Sequence, residues 1–145
     1  MWIEVCNDED IVYARQVARD WAHQIGFGKL DATKITTAVS ELARNILVYA
    51  AVGKIGLETL NQKTGIKISA VDHGPGIENI QQTLEDHYTT SGSLGAGLPG
   101  VKRLMDEFTI DSVVGEGTTV CTTKWLRATN PNPIYRENVS TKERN

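Results

Sequence analysis

The chain has 145 residues, the size of one ordinary domain, and its 40% hydrophobic and 23% charged content is globular rather than disordered or fibrous. A core of that size needs no metal or disulfide staple, and a formal net charge of -3 argues against a nucleic-acid binder, which as a rule shows a basic face. No apolar run approaches the roughly 18 residues of a membrane span, and no basic segment followed by an apolar one opens the chain, so the expected compartment is the cytoplasm.

Trp2 to Cys6 is short and apolar and reads as a strand; Asn7-Asp8 then supplies a helix cap. Ile11, Ala14, Ala18, Trp21, Ala22 and Ile25 recur at helical spacing, and Gly26-Phe27-Gly28 ends that run. Asp31 is expected to cap a second helix, with Ile35, Val39, Leu42, Ala43, Ile46 and Ala50 on one face. Two strand-like runs, Ile55 to Leu60 and Ile66 to Val71, are joined by the polar turn Asn61 to Gly65 and predict a hairpin. After Asp72 come a turn, His73-Gly74-Pro75-Gly76, a short polar helix over about 77–85 and a Thr-, Ser- and Gly-rich loop from Asp86 to Gly97.

That loop runs into a helix carrying Val101, Leu104, Met105 and Phe108, with Pro99 in the first turn, where proline is tolerated. Thr109 to Val114 and Thr118 to Trp125 read as a second hairpin around Gly115-Glu116-Gly117. Residues 1–127 are expected to form the single domain. Residues 128–145 are polar, include Pro131 and Pro133, show no periodicity, and are expected to be a disordered tail. The order β-α-α-β-β-α-α-β-β predicts an α+β fold, a two-layer sandwich whose sheet is mostly antiparallel, because the alternating βαβ units of a doubly wound parallel sheet are missing.

Cys6 and Cys121 sit in no C-x-x-C pair and are expected to be free, buried thiols. His23, His73 and His87 are scattered without ligand spacing, so a protein-ligated zinc is not expected.

Three features carry chemistry. Gly95-Ala96-Gly97-Leu98-Pro99-Gly100 is a literal G-x-G-x-x-G, but the residues before it are loop, whereas the dinucleotide fingerprint needs a strand there. What remains is a glycine-rich loop feeding a helix N-terminus, which either presents amides to a phosphate or simply turns at the surface. Asp72, at a strand end before two glycines, either accepts a hydrogen bond from an exocyclic amine or caps its own turn, the commoner arrangement. Glu41 and Asn45 lie one helical turn apart with Arg44 beside them, on the side opposite the apolar stripe. They form either a base and an oxygen ligand for Mg²⁺, or a solvated face with an intrahelical Glu41–Arg44 pair.

Glu41-Leu42-Ala43-Arg44-Asn45, Asp72-His73-Gly74-Pro75-Gly76, Gly95-Ala96-Gly97-Leu98 and Gly115-Glu116-Gly117-Thr118 come in the order of the N, G1, G2 and G3 boxes. Those boxes define the ATP site of the GHKL superfamily of histidine kinases, type II topoisomerases and anti-sigma kinases. Ser40 to Ile46, Gly74 to Ile77 and the long run from Thr90 to Phe108 resemble more closely still the RsbT family, switch serine/threonine protein kinases of the bacterial stressosome. The resemblance covers about residues 2 to 127.

It implies a Bergerat-type α/β sandwich with helices on one face and ATP under a lid of roughly residues 81–97. Asp72 matches the adenine-binding aspartate, helped by Gly76 and, through water, by Thr118, with Gly74 and Ile77 in the same box. Asn45 matches the Mg²⁺ ligand and Glu41 the general base. Ser91, Gly92, Ser93, Leu94, Gly95, Ala96, Gly97 and Leu98 match the lid that wraps the phosphates. Between Tyr88 and Ala96 there is no Lys or Arg, so amides and Mg²⁺ must carry most of the neutralising charge. The implied substrates are STAS-domain proteins of the RsbS and RsbR kind, and the implied downstream partner is an RsbU-like regulator. Two other readings are an anti-sigma-type protein that binds ATP and sequesters a sigma factor, and a nicotinamide dehydrogenase resting on the glycine string alone.

Overall fold

Asn7 starts the first helix: its side-chain oxygen accepts the Asp10 amide at 2.9 Å, and Asp8, Glu9 and Asp10 set three carboxylates at the positive end of α1 (Asp8–Ile25). Gly26 ends it, donating its amide to the Ala22 carbonyl. The buried face of α1 is Ala14, Ala18 and Ala22, small enough for the helix to lie close on its neighbour α2 (Lys29–Tyr49). The computed structural model describes residues 1–62, 64–85 and 97–127. Besides these helices it contains β1 (Trp2–Val5), β2 (Gly53–Leu60), β3 (Gly65–Asp72), α3 (Ile80–Thr83), α4 (Gly97–Leu104), β4 (Glu107–Val113) and β5 (Gly117–Trp125).

The five strands form one sheet in the order β1-β2-β3-β5-β4, and every pairing among the described residues is antiparallel. The expected two-layer α+β sandwich is therefore observed, with the sheet antiparallel throughout rather than only mostly so. Both hairpins form, β2–β3 across the turn after Leu60 and β4–β5 around Gly115. Ile3 and Val5 of β1, Ile55 and Leu57 of β2, and Ile66, Ile68 and Ala70 of β3 bury their side chains with α1 and α2 in one core.

Helix α2 packs against α1, α4 and the sheet, so its burial exceeds one stripe: Ala32, Ile35, Thr36, Ala38, Val39, Glu41, Leu42, Ala43 and Ile46 are all buried. Two expectations change as a result. Glu41, assigned to the polar side, is only 3% exposed. Ala50 is the C-cap rather than part of the apolar face. Asp31 does not cap the helix; Gly28 stands at that position without a side-chain bond, and Asp31 lies in the first turn, where its charge suits the helix dipole.

Two boundaries also move. The polar helix expected over 77–85 shortens to α3, because Ile77 donates its amide to Ser112 and Asn79 caps the helix by accepting the Gln82 amide. Phe108 belongs to β4, not to the helix before it. Helix α4 stops at Leu104 because the Asp106 amide already bonds the Thr123 carbonyl of β5, and the Leu104 carbonyl is taken by a side chain, Lys124 Nζ, at 2.9 Å.

Lys124 follows Val120 and Thr122 on the inner face of β5 and is 4% exposed. Its ammonium lies 3.5 Å from Asp106 Oδ1 and 3.9 Å from Asp31 Oδ1, so one buried cation ties the end of α4 to the start of α2. Both cysteines are free, as expected, but Cys6 is exposed and Cys121 half-buried. Cys6 lies just past the end of β1, where the Asp10 carboxylate accepts both its amide and, at 3.3 Å, its thiol. That hydrogen bond and the neighbouring negative charge push the thiol pKa up, while the bonds Asp10 accepts from Cys6 hold its carboxyl below the usual range.

Among the described residues no helix is long and apolar enough to cross a membrane. Lys124→Ala leaves the Leu104 carbonyl and two carboxylates without their cation, although Arg127 still pairs with Asp106 at 2.9 Å. The expected loss is about 3 kcal/mol, the lower end for breaking a buried ion pair, to be read from urea unfolding; a wild-type midpoint would show that the cluster stabilises nothing.

Candidate functional site

Asp72 ends β3, faces Thr118 of β5 in register, and Thr118 in turn faces Ser112 of β4. Three polar side chains thus cross one end of the sheet in a row. Beyond Asp72 the chain turns sharply. Asp72 Oδ1 accepts the Gly74 amide at 2.9 Å, so the aspartate does cap its own turn. The turn is held from both sides. A Cβ on Gly74 would come within 2.7 Å of the Ala50 Cβ at the end of α2, and Gly76, at φ +81°, leaves a Cβ only 2.5 Å from the Val113 carbonyl oxygen. The Gly115 amide donates to the Pro75 carbonyl at 2.8 Å, fastening the turn to the tip of the β4–β5 hairpin.

Between this turn, α2, α3 and the start of α4 lies a cavity of about 340 Å³. Its walls are apolar where Leu42 and Ile46 of α2 face Ala70 and Val120 of the sheet, with Leu98 and Pro99 of α4 completing them. Polar groups gather at the edges: Asp72 and Thr118 at one end, Asn45 on α2, and Asn79, Gln82 and Thr83 along the α3 side. An apolar slot with a few placed hydrogen-bonding groups is the usual build of a small-molecule site. The Asp72 carboxylate at one end of the slot can accept a hydrogen bond from an amine.

Of the residues that the resemblance assigns to nucleotide contact, Asn45, Asp72, Gly76 and Ile77 line this cavity, and so do Gly97, Leu98 and Thr118. Gly74 does not line it and acts instead as the tight point of the turn. Glu41 does not line it either. It lies one turn before Asn45, buried, with Arg44 Nη1 at 3.8 Å from its Oε2. The intrahelical pair expected of a solvated face is present, but on a carboxylate that is not solvated. Ser91 to Ala96, most of the lid and the tail 128–145 lie outside the described residues.

Sequence reasoning missed Ser112, whose Oγ accepts the Ile77 amide at 2.7 Å and lies 2.8 Å from Thr118 Oγ1. A signal was there: Phe108, Ile110 and Ser112 alternate on β4, and the third position is polar where the first two are apolar. Tyr49, at the end of α2, and Asn79 were missed as well, whereas Gln82 and Thr83 fall inside the expected lid of roughly residues 81–97.

The sequence model for the histidine kinase-like ATPase domain matches residues 6–124. The serine/threonine-protein kinase RsbT of Bacillus subtilis is 55% identical over 127 residues, 86% of this chain and 96% of that protein. An anti-sigma F factor from Caldanaerobacter subterraneus is 32% identical, over 79% of this chain and 84% of that one. The crystal structure of the RsbU and RsbW domains of a Mycobacterium tuberculosis protein superposes with a TM-score of 0.61 at 17% identity. It matches 87% of this chain, which spans only 32% of that structure, and bears on the fold alone. The chain therefore belongs to the histidine kinase-like ATPase family and, within it, to the serine/threonine-protein kinases of the RsbT type.

Gly76→Ala forces a side chain into the left-handed region and onto the Val113 carbonyl. It is expected to cost about 1–3 kcal/mol of stability and to weaken adenine-nucleotide binding together, as read by urea unfolding and calorimetry. Wild-type values for both would mean that the turn does not shape the cavity.

Proposed function

We propose that this chain is a cytoplasmic, Mg²⁺-dependent kinase that transfers the γ-phosphoryl group of ATP to a Ser or Thr of STAS-domain proteins of the RsbS and RsbR kind, and then engages an RsbU-like regulator. The observation that carries the reading is the gathering of Asn45, Asp72, Gly76, Ile77 and Thr118, far apart in sequence, around one apolar slot. In this reading adenine lies between Leu42 and Ile46 on one side and Ala70 and Val120 on the other, with its amine toward Asp72. The triphosphate runs toward Asn45 and the N-terminus of α4 (Gly97–Leu104), where the helix dipole favours negative charge. Residues 1–127 carry the activity, and Ser91 to Ala96 are assigned to phosphate contact.

Mg²⁺ takes oxygen ligands and keeps waters and substrate phosphates among them. One amide oxygen from Asn45 fits that habit, and among the described residues no cluster of three His, Cys, Asp or Glu offers a site built from protein alone. The metal, when bound with ATP, supplies charge neutralisation at the phosphates. Glu41 is the residue assigned to take the proton of the acceptor hydroxyl. It lies one helical turn from Asn45, outside the cavity lining among the described residues, with Arg44 at 3.8 Å from its carboxylate, so the acceptor must approach from beside the cavity. Sequestration of a sigma factor is the second reading, favoured by the anti-sigma F factors at 32% identity. It stands behind the kinase reading because the RsbT match is at 55%.

Asp72→Asn replaces an acceptor pair with one oxygen and an NH₂, a mismatch of about 1–3 kcal/mol, so ATP affinity should fall by about one to two decades in calorimetry. Unchanged affinity in the folded variant would remove the adenine assignment. Glu41→Gln keeps shape and should bind ATP normally while phosphotransfer drops by roughly 10²–10⁴. Asn45→Ala should weaken Mg-ATP binding and recover in part at high Mg²⁺, a rescue not expected for Glu41→Gln. Wild-type transfer by Glu41→Gln would sink the base assignment even with the nucleotide site intact.

A further inference from the structure

Phe108, Ile110 and Ser112 are half-buried in alternation along β4, while Glu107, Thr109, Asp111 and Val113 point out to solvent. The Ser112 oxygen has three partners: the Ile77 amide at 2.7 Å, Thr118 Oγ1 at 2.8 Å and the Gly117 carbonyl at 3.2 Å. A serine hydroxyl offers one proton and two lone pairs. The Ile77 amide can only donate, so it occupies one lone pair. The Gly117 carbonyl can only accept, so when all three contacts are made it receives the proton. One lone pair is left, and the Thr118 contact is a hydrogen bond only if Thr118 donates into it. The Thr118 oxygen then turns lone pairs alone toward the cavity that it lines. Next in the same row across the sheet is Asp72, a second acceptor, with one oxygen already committed to the Gly74 amide.

We propose that Ser112 is a positioning residue that makes this end of the cavity acceptor-only, so that it selects a purine bearing an amine at C6 over one bearing an oxygen there. The proposal rests on the reading of the cavity as an adenine site. Ser112 touches no nucleotide; it acts by orienting the Thr118 hydroxyl and by seating the Ile77 backbone. In this proposal the amine meets Thr118 directly, in place of the water-mediated contact that the resemblance implies, and puts donors against Thr118 and Asp72. An oxo group sets lone pairs against lone pairs, and the single N1–H that accompanies it can meet one of the two acceptors at most, leaving the other unpaired, a mismatch that polar sites reject.

The test is calorimetric binding of Mg-ATP and Mg-inosine triphosphate to the full chain and to Ser112→Ala, Ser112→Cys and Asp72→Asn, with thermal melts alongside. The wild type is expected to prefer ATP. In Ser112→Ala, ATP affinity should fall about three- to tenfold while the inosine nucleotide holds or gains, because the released Thr118 hydroxyl can donate to the oxo group. Ser112→Cys keeps the shape but donates weakly; it should narrow the preference in the same direction, and it decides the matter if the alanine variant does not fold. A purely structural serine would lower the melting temperature and leave the ATP-to-inosine-nucleotide ratio at the wild-type value, which would overturn the proposal. Asp72→Asn separates the two levels. Unchanged ATP affinity there would overturn the adenine reading and this proposal with it, whereas weakened ATP binding beside an unchanged ratio in the Ser112 variants would overturn only the role of Ser112.

Discussion

Helix α2 (Lys29–Tyr49) is enclosed by α1, by α4 and by the sheet, and that enclosure fixes the geometry of everything around it. Its inner residues Ile35, Val39, Leu42 and Ile46 are core, yet Leu42, Asn45, Ile46 and Tyr49 are also one wall of the cavity. The same helix therefore bears the packing energy of the domain and the position of its polar groups. At about 25 cal/mol per Å² of buried apolar surface, an enclosed helix of this kind is expensive to displace. A site built on it is held more precisely than one built on loops.

The opposite wall is held by different means. In the turn from Asp72 to Ile77 only Ile77 packs against the core among the hydrophobic side chains. The turn is fastened by hydrogen bonds from Gly74 to Asp72, Gly115 to Pro75 and Ile77 to Ser112, and by two close approaches that only glycine permits. Lys124 does the corresponding task at the far side, joining the end of α4 to the start of α2 with one buried ammonium. The cavity thus has a packed wall, a hydrogen-bonded wall and a pinned helix, each fixed by a different interaction.

Much of this was legible in the sequence. The helical spacing of Ala14, Ala18 and Ala22, the alternation of Ile66, Ile68 and Ala70 and the polar turn after Leu60 follow from local physics and needed no tertiary knowledge. The N-to-G3 order of boxes brought Asn45, Asp72, Gly76 and Thr118 together before any coordinates did. What escaped was set by contacts distant in sequence. Glu41 reads as a surface residue on a helical wheel, and its burial follows from three-sided packing that a wheel does not contain. Asp31 reads as a cap, but its partner is Lys124. Phe108 reads as helical until Asp106 is captured by the Thr123 carbonyl. Ser112 is one serine in a polar hairpin until the strands pair and set it beside Thr118.

The central claim is that the cavity serves phosphoryl transfer to a protein hydroxyl and not nucleotide-assisted sequestration alone. Its most direct test is to incubate the chain with γ-labelled ATP and Mg²⁺ in the presence of a STAS-domain protein or, separately, a sigma factor, and to map the labelled residue. Label is expected on a Ser or Thr of the STAS protein, appearing only with Mg²⁺. ATP binding with no label on the STAS protein, together with stable capture of the sigma factor, would contradict it.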